Sequence, residues 1–162
     1  MSVKRFFLSK KKEFTMKKLL TSFLLSISFG SVNAIAQIPE IPDPQLPDIA
    51  IVQPHPVYGA QIIYNPITCQ QIGMACGFFR IHEYGHVVHN HQLIHPAAYS
   101  AYKEAQADCW AAANASPYEV LAAVQLFHAG GSSSNWAVYG HPQQRAARVR
   151  DCAIQAGNWI GS

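Results

Sequence analysis

Two periods of apolar residues organise the chain. Over Tyr58-Gly-Ala-Gln-Ile-Ile-Tyr64, Gln61 and Ile63 alternate with Ile62 and Tyr64, the period of two that predicts a strand, and Asn65-Pro66 stops it. One edge of that strand is expected to be free, where it could pair with an extended peptide. Residues 66–75 predict a short helix or turn bounded by Gly73 and Gly77. Helices follow over about 77–94, ending before Pro96, and about 97–114, dense in alanine. Ser116-Pro117-Tyr118-Glu119 is a capping box that opens a helix of about 117–129, with Val120, Leu121, Val124, Leu126 and Phe127 as its core face. Gly130-Gly131 ends it, and a polar loop over 130–141 is anchored by Trp136, Val138 and Tyr139. His141-Pro142 starts a last helix to about 156, stopped by Gly157. The pattern is that of a small, mainly α (α+β) domain: four principal helices and a short β edge or hairpin.

The N-terminal third reads differently. Lys4, Arg5, Lys10, Lys11 and Lys12 are followed by a second basic start at Met16-Lys17-Lys18, an apolar run from Leu19 to Gly30, and Ala34-Ile35-Ala36 before Gln37. Residues 1–36 therefore predict an export signal, with its cleavage site before Gln37; the apolar run is short and interrupted for a membrane span, and an uncleaved membrane anchor is the alternative reading. Met16 is an alternative start. Residues 37–56 carry prolines at 39, 42, 44, 47, 54 and 56 and predict an extended arm, mobile at its beginning, with His55 a bystander. The remaining residues, 57–162, form the domain proper.

Removing the leader changes the charge. It takes seven of the twelve basic residues and one of the nine acidic ones, leaving a formal net charge of −3. The basic whole-chain balance is thus a leader effect and gives no reason to expect nucleic acid. All four cysteines, Cys69, Cys76, Cys109 and Cys152, lie beyond the leader. An even count in an exported chain predicts two disulfides, in a periplasmic or secreted setting. Of the three possible pairings, Cys69–Cys76 and Cys109–Cys152 are favoured, the second tying a central helix to the last one. A zinc–thiolate cluster is the competing reading, but the spacings contain no C-x-x-C.

The chemistry concentrates at His82-Glu83-Tyr84-Gly85-His86, an H-E-x-x-H pattern. On a helix the two histidines rise from one face about one turn apart, where they can grip a zinc ion, and the glutamate can take a proton from a water that the ion activates. Phe78-Phe79-Arg80-Ile81 and Val87-Val88 supply apolar cover, and Gly85 serves close packing better than helix stability. His89 lies about 10 Å along the helix from His82, too far to share an ion, and His91 points elsewhere. These two and His95 are expected to be solvated or supporting. The longer H-E-x-x-H-x-x-G-x-x-H pattern fails at 89 and 92. Eighteen residues past His86, Glu104 and Asp108 stand four apart on one helix face. Glu104 is the expected third ligand, and Asp108 is expected to hold a ligating histidine through its second N–H. His128 reads as a helix-end cation. His141 either donates a hydrogen bond to a developing oxyanion or is an ordinary cap or surface residue.

His82-Glu83-Tyr84-Gly85-His86, Glu104-Ala-Gln-Ala-Asp108 and His141-Pro142 with its following arginines resemble, in order, the gluzincin metallopeptidases. The nearest branch comprises the prenyl-protein and heat-shock membrane peptidases and their soluble relatives, the minigluzincins. Arg145 falls early and Arg148 late against that pattern, and the family's membrane helices are missing. The resemblance implies a zincin-like fold, one zinc ion on His82, His86 and Glu104, Glu83 as general base, Asp108 as orienter and His141 near the substrate. The expected function is an exported zinc peptidase acting on peptides or unfolded proteins, off the membrane once the leader is removed, with a partner protein that presents them as a further expectation. The alternatives are a catalytically silent binding module on the same fold and a small disulfide-stapled structural protein.

Overall fold

The computed structural model describes residues 38–91, 101–131 and 135–162. Residues 1–36, where an export signal is expected, His95 and the expected start of the second long helix lie outside the described residues. Three strands come first: β1 (Glu40–Pro42), β2 (Ala50–His55) and β3 (Gly59–Tyr64). The sheet order is β1-β3-β2, with β1 parallel and β2 antiparallel to β3. Two expectations change here. The strand over 58–64 is the centre of the sheet: β2 pairs with it along its whole length, β1 covers its other edge at Ile62–Tyr64, and the long outer edge belongs to β2. The proline-rich stretch, expected as an arm, is extended but packed on the domain: residues 38–55 supply two strands and bury Ile38, Leu46 and Ile49. Proline is compatible with this because Pro44 and Pro47 sit in the bend between strands and Pro54 lies on an edge strand, where a missing N–H is tolerated.

Asn65 fastens this segment to the helices. Its side-chain oxygen accepts from the N–H groups of Ile67 and Thr68 at 2.9 and 3.1 Å, capping α1 (Pro66–Ile72). Its amide donates to the Leu46 carbonyl at 2.8 Å. A second tie joins β1 to the next helix: Glu40 pairs with Arg80 and accepts from the Tyr84 hydroxyl at 3.1 Å.

The other helices are α2 (Ala75–Val88), α3 (Ala101–Asn114), α4 (Pro117–His128), the single turn α5 (Trp136–Tyr139) and α6 (Pro142–Gln155). The capping box at Ser116 and Glu119 is formed, with proline in the first turn of α4. α2 lies between two apolar clusters. Phe78 and Phe79 face the helical core with Val120, Phe127, Ala146 and Val149, whereas Tyr84 and Val87 cover the sheet at Ile38, Ala50, Ala60 and Ile62. The residues left between these two faces are His82, Glu83 and His86, all buried. α2 stops at Val88, short of the expected residue 94, because Asn90 turns the chain with φ 57°. Asparagine is among the few residues that enter this left-handed region readily.

α2 and α3 pack closely through Gly85. A Cβ there would stand 3.0 Å from the Cα and 3.1 Å from the carbonyl oxygen of Ala107, both backbone atoms that cannot rotate away. The glycine weakens α2 by about 1 kcal/mol in helix propensity and in exchange lets the two site-bearing helices meet.

Cys69–Cys76 joins α1 to α2, and Cys109–Cys152 joins α3 to α6. Two disulfides fit an oxidising environment. Among the described residues no helix is long and apolar enough to cross a membrane.

Two stability effects are expected from denaturant unfolding. Gly85→Val should destabilise the chain by about 1–3 kcal/mol, because overpacking against backbone cannot be relieved by a side-chain rotation. Replacing Cys109 and Cys152 by alanine should cost about 4 kcal/mol, against about 2.5 kcal/mol for Cys69 and Cys76, since the first bridge closes the longer loop. Equal losses for the two bridges would contradict the loop-closure account.

Candidate metal centre

The expected ligands meet. His82 Nε2 lies 3.2 Å from Glu104 Oε2 and 3.1 Å from His86 Nε2, and His86 Nε2 lies 3.6 Å from Glu104 Oε1. Each of the three residues is about 3 % exposed. α2 delivers both imidazoles from one face, and α3, brought close at Gly85, delivers the carboxylate from the facing side.

These separations suit a metal ion. Donor atoms about 2.0–2.1 Å from a tetrahedral zinc ion stand about 3.3–3.4 Å from one another. The 3.1 Å between the two ring nitrogens lies close to that edge length, each imidazole meets its own oxygen of Glu104 at 3.2 and 3.6 Å, and one donor atom from each residue lies within 4.8 Å of the other two. The donor chemistry agrees. Asp108 Oδ1 lies 2.9 Å from His82 Nδ1. An ionised carboxylate only accepts, so Nδ1 carries the ring proton and Nε2 presents a lone pair. Two such nitrogens and a carboxylate facing one another in a buried space repel unless a cation lies between them. His82, His86 and Glu104 therefore form a buried group able to bind a metal ion.

Without a metal, a proton meets the same demand. Burial alone would lower the pKa of His82, but Asp108 and Glu104 outweigh it and raise it to about 9. Burial would raise Glu104, yet His82 and His86 hold it down to about 2. For His86, burial prevails and its pKa falls.

Asp108 is fully buried and serves more than His82. Arg145 grips it with two nitrogens, Nε to Oδ2 at 2.9 Å and Nη2 to Oδ1 at 2.8 Å, and Arg148 Nη2 donates to Oδ2 at 2.6 Å. Of the three arginines that follow His141-Pro142, Arg145 and Arg148 thus end on the same carboxylate, and Arg150 pairs with Asp151. Arg145 in turn lies over the rings of Phe127 and Tyr139 at 4.6 and 5.2 Å, which shield its charge within the core. Burial would raise the Asp108 pKa, but Arg145 and His82 keep it far below the usual carboxylate range. The His82 contact is close but oblique to the ring N–H, so its strength is largely that of a charge beside a dipole.

Glu83 stands on the sheet side of α2. Its Oε2 accepts the backbone N–H of Val52 at 2.8 Å, which is free because β2 is an edge strand and this N–H points away from β3. Burial pushes the Glu83 carboxyl up to about 8; His82 opposes this and Glu104 adds to it.

Three other residues complete the picture. His141 is exposed at the start of α6, makes no side-chain cap, and packs its ring edge against Trp136 at 4.7 Å between centroids. Tyr139, read from sequence as a loop anchor, lies nearer the carboxylates. Burial and the fields of Glu104, Asp48 and Glu83 keep its phenol protonated. His91, expected to point away, is buried with Nδ1 2.9 Å from Nδ1 of His86. The five-residue spacing misleads on a helical wheel because the helix has already ended. The one signal in the sequence was Asn90, a residue suited to reversing the chain. His55 and His128 lie away from this cluster: His55 accepts from the N–H groups of its own turn, and His128 is exposed at the end of α4.

No family model, curated protein or solved structure matches the chain.

Asp108→Ala should leave Arg145 and Arg148 buried without their counter-charge and cost about 3–5 kcal/mol of stability. In the fraction that folds, zinc affinity should drop about 10–100-fold as His82 loses its orienting partner. Urea unfolding and chelator competition read the two effects separately. A loss of stability under 1 kcal/mol would show that Asp108 is not the hub described.

Proposed function

We propose that this chain is an exported zinc peptidase that hydrolyses peptides or unfolded proteins with Glu83 as its proton carrier. The observation that carries the reading is the pairing of a buried His82–His86–Glu104 donor set with Glu83, a further buried carboxyl on the same helix that neither closes that set nor clamps an arginine. Burying a carboxyl with so little compensation is costly, and a structural helix has no use for it. Its sequence context, the H-E-x-x-H pattern followed by Glu104 and Asp108, is the part of the chain that resembles the gluzincins.

A zinc ion on three protein ligands would supply Lewis acidity at an open fourth position, lowering the pKa of water and polarising a carbonyl. The chain's own groups have distinct tasks. The Val52 N–H fixes one oxygen of Glu83, leaving the other to accept a proton and later return it to the departing amine nitrogen. A carboxyl raised toward neutrality is matched to both halves of that transfer. Asp108, through His82, keeps the donor set aligned. The phenol of Tyr139, kept protonated by burial and the nearby carboxylates, is the candidate donor to a developing oxyanion, whereas His141 is exposed against Trp136. The outer edge of β2, beside Glu83, offers backbone groups to an extended peptide. The two disulfides support an extracytoplasmic site of action.

The test is hydrolysis of a mixed unfolded-peptide substrate by the leader-free chain with zinc, beside Glu83→Gln. Turnover by the wild type is expected, with a loss of about 10²–10⁴-fold in the variant at unchanged metal content. Metal binding with no turnover in either protein would favour a silent binding module. No metal in either would favour the disulfide-stapled structural protein.

A further inference from the structure

We propose that His91 is a positioning residue for the metal centre, accepting the Nδ1 proton of His86 and so aiming the His86 Nε2 lone pair at the ion. The inference rests on the reading of His82, His86 and Glu104 as ligands and adds a residue to it. Three observations lead there. His91 is buried at 4 % exposure, unlike its neighbours His89 and Asn90, which are exposed. Its Nδ1 lies 2.9 Å from Nδ1 of His86, on the side of the ring opposite the donor set. It reaches that position only because α2 ends at Val88 and Asn90 takes φ 57°, folding the chain back over the last turn.

The chemistry of the pair fixes the direction of the bond. Two Nδ1 atoms at this distance share one proton, so one ring donates and the other accepts. A ligating imidazole must leave Nε2 unprotonated and so carries its proton on Nδ1. His86 is therefore the donor and a neutral His91 the acceptor, with its own proton on Nε2. Gln106 on α3 lies within hydrogen-bonding reach of His91 and can hold its ring. The two ligating histidines are thus supported differently: His82 by the carboxylate of Asp108, His86 by a neutral imidazole. A neutral partner adds no charge to a pocket that already holds Glu104, Asp108 and Glu83. It fixes the tautomer and the ring plane without a further buried anion.

The test uses the leader-free chain with both disulfides intact and three substitutions: His91→Leu, His91→Asn and His89→Leu. Asparagine places a carbonyl oxygen near where His91 Nδ1 stands, so it keeps the acceptor while discarding the ring. Zinc affinity is measured by chelator competition, and the cobalt-loaded proteins are compared by visible absorption. His91→Leu is expected to lose 10–100-fold in zinc affinity and to alter the cobalt spectrum. His91→Asn should recover to within about threefold of wild type, and His89→Leu, which removes the ring stacked on His91 but leaves the acceptor in place, should also stay within about threefold. The proposal is overturned if His91→Leu binds zinc as wild type does, or if His91→Asn falls as far as His91→Leu, since packing alone would then account for the residue. A wild-type chain that takes up no ion would instead remove the ligand reading itself.

Discussion

The carboxylate of Asp108 is the point on which the helical half of the molecule turns. It sits on α3 beside the disulfide to α6, takes two nitrogens from Arg145 and one from Arg148, and lies against the ring of His82 on α2. Three helices are thereby joined at one buried charge. Ion pairs of this kind contribute little net stability once desolvation is counted, but they are unforgiving of rearrangement, because any slippage strands a charge in the core. The aromatic rings around Arg145 make the same demand from the apolar side. The cluster is better understood as fixing geometry than as holding the fold together.

What that geometry holds is an arrangement unstable without a cation. Two ring nitrogens and a carboxylate converge in a buried space, where a metal ion or a shared proton relieves their repulsion. The packing at Gly85 brings them there, and the orienting contacts behind each ring keep them pointed inward. On the opposite side of α2, the outer edge of β2 gives the Val52 N–H to Glu83. The same helix therefore faces a rigid ionic cluster on one side and a strand with unused hydrogen-bonding capacity on the other.

Much of this was legible in the sequence because it depends on short-range periodicity. The spacing of His82, Glu83 and His86 fixes their common helix, and Glu104 and Asp108 share a face for the same reason. The capping box at Ser116 and the favoured cysteine pairing also appear in the structure. The errors occur where tertiary contacts override local signals. Proline density suggested an arm, yet Ile38, Leu46 and Ile49 bury enough apolar surface to dock it, and that docking moves the long outer edge of the sheet from β3 to β2. The helix was extended past Val88 because the histidines that follow are not strong helix breakers. The left-handed turn at Asn90 is a single-residue event without periodicity, and it alone brings His91 back to His86. The convergence of both arginines on Asp108 joins residues 37 and 40 positions apart, a distance at which no pattern in one sequence reports contact.

The central claim is that His82, His86 and Glu104 hold one divalent ion. X-ray absorption at the zinc edge, on leader-free chain dialysed against micromolar zinc, tests it most directly. The account predicts one ion per chain, coordinated by nitrogen and oxygen at about 2.0–2.1 Å with two imidazoles in the outer-shell scattering and no sulfur; Glu104→Ala should lose that signal. A chain that retains no zinc, or one whose zinc environment is unchanged by Glu104→Ala, would contradict it.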